Sequence, residues 1–102
     1  MLAFFHKETH KIMSDFYYVY VLRSGVDSSF YIGSTSNLER RLKEHHSDRR
    51  SYAYRKAPWV LVYYEAYRSK RQARRREYKL KKSSWHKQQV LNRLKEEDLG
   101  SI

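Results

Sequence analysis

Two charged residues of this chain sit where packing alone would place apolar side chains. Arg41 shares a helical stripe with Leu38, Leu42 and His45, at the i, i+3, i+4 and i+7 spacing of one helix face. Glu77 shares a second stripe with Ala73 and Leu80. An ion at the margin of an apolar stripe costs free energy unless it is paired or solvated in a cleft. An arginine in a cleft can stabilise negative charge on a bound group. Two structural explanations compete: an Arg41–Glu77 salt bridge, or long side chains reaching out to water.

Glu77 is the more telling residue. Its helix carries Lys70, Arg71, Arg74, Arg75, Arg76, Lys79, Lys81 and Lys82, and Glu77 is its only acid. Those cations should hold the carboxylate ionised. A lone ionised carboxylate beside a phosphate-binding surface suits Mg²⁺, which takes one or two carboxylates and completes its shell with water and substrate phosphate. The competing explanation is an i,i+4 pair with Lys81.

The elements that must position these groups can be read from pattern. Phe16 to Arg23 is β-branched and aromatic and reads as a strand, Ser24 to Ser29 as a turn, and Phe30 to Gly33 as a second strand. They make an antiparallel hairpin in which an even-numbered loop places Tyr20 and Tyr31 on one face. Ser36-Asn37-Leu38-Glu39 has the capping-box pattern, with Ser36 as N-cap of the Arg41 helix. Ser47 to Ala57 reads as a basic loop, and Trp59 to Ala66 as a third strand. Ser69 and Gln72 open a helix to about Lys82, and a last helix from about Trp85 to Glu97 docks through Val90, Leu91 and Leu94. The expected architecture is α+β, a three-stranded antiparallel or mixed sheet flanked by helices. Residues 15–97 form one domain in this reading, with an N-terminal extension over 1–14 and a tail over 98–102.

Composition points to the partner. With 22 Lys+Arg against 11 Asp+Glu, the formal net charge is +11. So large an excess on a short chain creates a field that favours polyanions, nucleic acid first and an anionic membrane surface second. Ten Tyr, four Phe and two Trp argue against disorder as the reason for the charge. The absence of cysteine removes disulfides and thiolate metal sites and fits a reducing cytoplasm. No apolar run approaches the ~18 residues of a membrane span. The expected nucleic-acid contacts are Arg49, Arg50, Arg55 and Lys56 in the loop and Lys70, Arg71, Arg74, Arg75 and Lys79 on the helix, against a solvated face as the bland alternative. His6 and His10 have i,i+4 spacing but no third metal ligand, and His46 and His86 read as exposed.

These residues also carry a resemblance. Tyr18-Val19-Tyr20, an eleven-residue step to Tyr31-Ile32-Gly33, then Ser34 to Leu42 and His45 resemble the GIY-YIG nuclease superfamily, in particular its small stand-alone bacterial members. The likeness covers residues 16 to 96; the first tripeptide is Tyr-Val-Tyr rather than Gly-Ile-Tyr, but its third position is still Tyr20. It implies a metal-dependent endonuclease acting on DNA, with RNA left open, in a process such as repair or recombination. The implied catalytic set is Tyr20, Tyr31, Arg41, His45 and Glu77. Tyr20 and Tyr31 would lie beside the scissile phosphate and one of them, Tyr20 by preference, would serve as general base, its pKa lowered from about 10 by neighbouring cations or metal-bound water. Arg41 would stabilise the phosphate, Glu77 would hold Mg²⁺ or Mn²⁺, and His45 would orient a tyrosine or shuttle a proton. Gly33 would allow a close backbone approach to the helix or the substrate. The alternative is a non-catalytic nucleic-acid-binding module with the same fold.

Overall fold

The computed structural model describes residues 16–48 and 52–100. Strand β1 (Tyr17–Ser24) is central, and β2 (Phe30–Thr35) and β3 (Trp59–Tyr67) flank it in the order β2-β1-β3. Both pairings are antiparallel, so the sheet has no mixed edge. The remaining elements are α1 (Leu38–Ser47), a 3-10 turn over Tyr52–Lys56, α2 (Lys70–Lys82) and α3 (Ser84–Gly100). The 3-10 turn lies within the stretch expected as loop, and α3 continues past the expected Glu97.

Side-chain alternation along β1 divides the molecule into two cores. Val19 and Val21 face Ala73 and Leu80 of α2 and Val90 of α3. On the opposite face Tyr20 and Leu22 meet Ala53 and Trp59, with Leu38 and Leu42 of α1 packed against them. Because β1 is covered on both sides, it reads as a continuous apolar run rather than an alternating one.

Caps and polar contacts fix the helices on this sheet. Asn37, not Ser36, is the N-cap of α1: its Oδ1 accepts the Arg40 amide at 3.0 Å. Two capping-competent residues stand side by side there, and Thr35 Oγ1 accepts the Asn37 amide at 3.1 Å, which sets the turn one residue later. Ser69 caps α2 as the pattern suggests. Helix α2 is clamped to β3 by Glu65, whose carboxylate accepts hydrogen bonds from Arg76 at 2.9 and 3.1 Å, from Tyr63 at 2.5 Å and from Tyr67 at 2.7 Å. His46 is half-buried rather than exposed: its Nε2 accepts the Trp59 amide at 2.7 Å, tying α1 to the start of β3.

Candidate active site

Tyr20 is opposite Gly33 across the β1–β2 ladder, so Tyr31 is its diagonal neighbour on the same face. The two rings stack at 6.3 Å with 22° between their planes. The hydroxyl end of the Tyr20 ring lies against Gly33. A Cβ built at position 33 would sit 2.5 Å from the Tyr20 hydroxyl oxygen and 2.7 Å from Cζ. The missing side chain thus lets a tyrosine on the central strand reach over the edge strand.

The Tyr20 hydroxyl joins two groups of α1. Arg41 Nε donates to it at 3.3 Å, and His45 Nε2 lies 3.1 Å away. The three come together because Arg41 and His45 are one turn apart on the helix face that packs over β1 and β2. Arg41 also donates through Nη1 to Glu44 at 2.8 Å. It remains 42 % exposed, and a guanidinium has five N–H groups, so it keeps a face open to an anion. Tyr31 packs edge-on against His45 at 4.6 Å and against Trp59 at 5.9 Å, which fixes the imidazole from the far side. Tyr31, Arg41, His45 and Asp48 line a cavity of about 350 Å³.

Burial sets the protonation of this group. Tyr20 is only 2 % exposed, and desolvation pushes its pKa up to about 12. Arg41 works against this, while Tyr31 and Glu77 add to it. The protein's own cations do not lower the Tyr20 pKa as expected: one arginine does not offset loss of water from a phenolate. Burial, then the charge of Arg41, holds His45 below its ordinary value, in the neutral form. Arg41 is held more firmly protonated by its bonds to Tyr20 and Glu44.

Glu77 approaches from the other face of the sheet. Ser34 Oγ donates to its Oε1 at 2.5 Å, and Lys81 Nζ lies 2.6 Å from its Oε2. Burial raises the Glu77 pKa, but Lys81, Ser34 and Arg74 outweigh it and keep the carboxylate ionised. The structure does not form the Arg41–Glu77 salt bridge considered as an alternative; their ion-pair partners are Glu44 and Lys81. Glu77 makes no hydrogen bond or ion pair with Tyr20, Arg41 or His45 among the described residues, yet it lies close enough to raise the Tyr20 pKa. Among the described residues no group of three or more His, Cys, Asp or Glu could hold a metal ion. A single carboxylate with a spare lone pair on each oxygen suits a largely hydrated Mg²⁺ or Mn²⁺ and no all-protein cage.

The sequence model of the GIY-YIG catalytic domain matches residues 16–92. The chain belongs to the GIY-YIG family. Its relatives include a UPF0213 protein of Clostridium perfringens, 44 % identical over 66 residues that cover 64 % of this chain and 70 % of that one. A UPF0213 protein of Staphylococcus haemolyticus is 40 % identical over 81 residues, 78 % of this chain and 95 % of its own. The solution NMR structure of a UPF0213 protein from Bacillus halodurans has 38 % identity and a TM-score of 0.49, covering 78 % of this chain and 85 % of that chain.

In this GIY-YIG domain the second tripeptide, Tyr31-Ile32-Gly33, supplies both a stacking ring and the gap that Tyr20 crosses. Gly33 has no left-handed backbone; its role is room for the Tyr20 ring rather than for α1 or a ligand. The expected nucleic-acid contacts separate into groups. Arg55, Lys70, Arg71, Arg74, Arg75 and Lys79 are exposed. Lys56 is engaged in an ion pair with Asp27 at 3.0 Å. Arg49 and Arg50 lie outside the described residues, as do His6 and His10. Sequence reasoning did not single out Ser34 or Glu44 as partners of the charged pair. Ser34 follows Gly33 directly, and Glu44 is at i+3 from Arg41, so spacing alone offered a signal for the second. Among the described residues no helix is long and apolar enough to cross a membrane.

Proposed function

We propose that this protein is a metal-dependent endonuclease that hydrolyses phosphodiester bonds in DNA. The observation that carries the reading is the chain Arg41 Nε, Tyr20 hydroxyl, His45 Nε2, with an ionised Glu77 at the adjoining edge of the sheet. Arg41 can only donate, so it takes an oxygen lone pair of Tyr20. That leaves the hydroxyl hydrogen for Nε2 of a neutral His45 carrying its own proton on Nδ1.

A phenol with its pKa pushed up to about 12 is a poor free base at neutral pH. It is a good relay. Tyr20 takes a proton from the attacking water as it passes its own to His45. The water oxygen bonds to phosphorus and the bond to the leaving oxygen breaks. Arg41 turns its open face to the phosphate and stabilises the charge that develops there. Glu77 would hold Mg²⁺ or Mn²⁺, oriented by Ser34, and the bound ion supplies neutralisation of the leaving oxygen. Solvent returns the proton to that oxygen, and His45 releases its own to solvent.

The test is a cleavage assay with Mg²⁺, Mn²⁺ or EDTA on single-stranded, duplex and branched DNA and on RNA. Metal-dependent cutting of a DNA form supports the reading. Salt-sensitive binding with no cutting of any substrate supports a binding module instead, and cutting of RNA alone would replace DNA as substrate.

A further inference from the structure

Several cations near the site are already paired. Arg41 holds Glu44, Lys56 holds Asp27, Arg76 holds Glu65 and Lys81 holds Glu77. Lys70 and Arg74 differ: neither has an ion-pair or hydrogen-bond partner among the described residues. They are one turn apart on α2 and line a cavity of about 210 Å³ with Ser34, Thr35 and Ser36 at the end of β2. Ser34 is the residue that orients Glu77, and Arg74 is near enough to help keep Glu77 ionised. The cavity therefore adjoins the Glu77 carboxylate, on the opposite face of β2 from Tyr20 and Arg41.

We infer that this cavity seats a backbone phosphate flanking the scissile one on the same strand. An anion there would neutralise two unpaired cations and accept a hydrogen bond from the Ser36 hydroxyl, the Ser34 hydrogen being held by Glu77, whereas an apolar group would gain nothing. One phosphate on Arg41 and the next on Lys70 and Arg74 would draw the strand across the outer edge of β2. Such a path rounds the β2 edge beside the Tyr20 ring, which covers Gly33, and brings the leaving oxygen toward Glu77. The inference rests on the phosphodiester-hydrolysis reading and adds the route of the strand.

The experiment uses a DNA strand that the intact protein cuts at one position. Single uncharged methylphosphonates replace each of the two phosphates on either side of the cut. One position should slow cleavage by roughly tenfold, the effect of losing one charge-assisted contact. The Lys70→Ala/Arg74→Ala variant should be slowed to a similar extent on unmodified DNA, and the methylphosphonate should then add little. Equal sensitivity in the intact protein and the variant, or normal cutting by the variant, overturns the inference. If the protein cuts nothing, the hydrolysis reading fails separately and binding decides the cavity. Filling one phosphate site, the double variant should lower the slope of log affinity against log salt by about 0.7 to 0.9. An unchanged slope overturns it.

Discussion

Tyr20 and Gly33 are cross-strand partners, and the Tyr20 ring fills the space that a side chain at position 33 would occupy. The tyrosine is almost fully buried, so it cannot move aside cheaply. Its hydroxyl is also the point where Arg41 and His45 meet. Packing and chemistry are therefore coupled at one atom.

Replacement of Gly33 by alanine should break that coupling. Overpacking should lower stability by about 1–3 kcal/mol in urea unfolding. Displacement of the hydroxyl should lower the cleavage rate by about 100-fold, as expected for a misplaced catalytic group. A variant with intact stability and rate would show that Tyr20 does not need the gap.

The protonation states predict the pH dependence. His45 must be neutral to accept a proton, and its pKa lies below the ordinary 6.5. The rate should therefore fall as pH drops through that lowered value and stay level from neutral to mildly alkaline pH. A free tyrosinate base would behave differently, with the rate climbing about tenfold per pH unit toward the Tyr20 pKa. His45→Ala should remove the acid limb and most of the rate, and Tyr20→Phe should remove the rate while keeping the ring in place. A climbing profile in the intact protein would contradict the relay.

Lys81 Nζ holds Oε2 of Glu77 at 2.6 Å, an oxygen that the metal ion of the proposed mechanism would also take. Lys81→Met should raise Mn²⁺ affinity several-fold, as read by electron paramagnetic resonance in the absence of DNA. Glu77→Gln should abolish that binding. If Lys81→Met leaves the affinity unchanged while Glu77→Gln removes it, the lysine does not compete.

Glu65 tests the scaffold apart from the chemistry. Its carboxylate accepts bonds from Arg76, Tyr63 and Tyr67. Glu65→Gln cannot serve all of these donors and should cost about 1–3 kcal/mol in denaturant unfolding. An unchanged midpoint would mean that apolar packing alone holds α2 on the sheet.

Local pattern made much of this arrangement legible. The hairpin, the α1 stripe of Leu38 and Leu42, the Ser69 cap and the apolar contacts of Ala73 and Leu80 are set by neighbours a few residues away. The choice of Asn37 over Ser36 as cap was not legible, because either residue can cap and the Thr35 contact decides. The raised Tyr20 pKa was hidden for a different reason. It comes from burial under α1 and beside Tyr31, and the sequence shows only the nearby cations. Ser34, Glu65 and His46 look like ordinary strand and helix polar residues, and their importance comes from partners 43, 11 and 13 positions away.

Arg41 and Glu77 lie on opposite faces of the sheet, yet the proposed mechanism has both serve one hydrolysis. The most direct measurement compares the rate at which the intact protein, Arg41→Ala and Glu77→Ala nick supercoiled DNA with Mg²⁺, alongside binding of the same DNA. Nicking by the intact protein, a loss of about 100-fold or more in each variant, and binding kept in both are the expected results. Nicking by both variants at the intact rate would rule out the shared role.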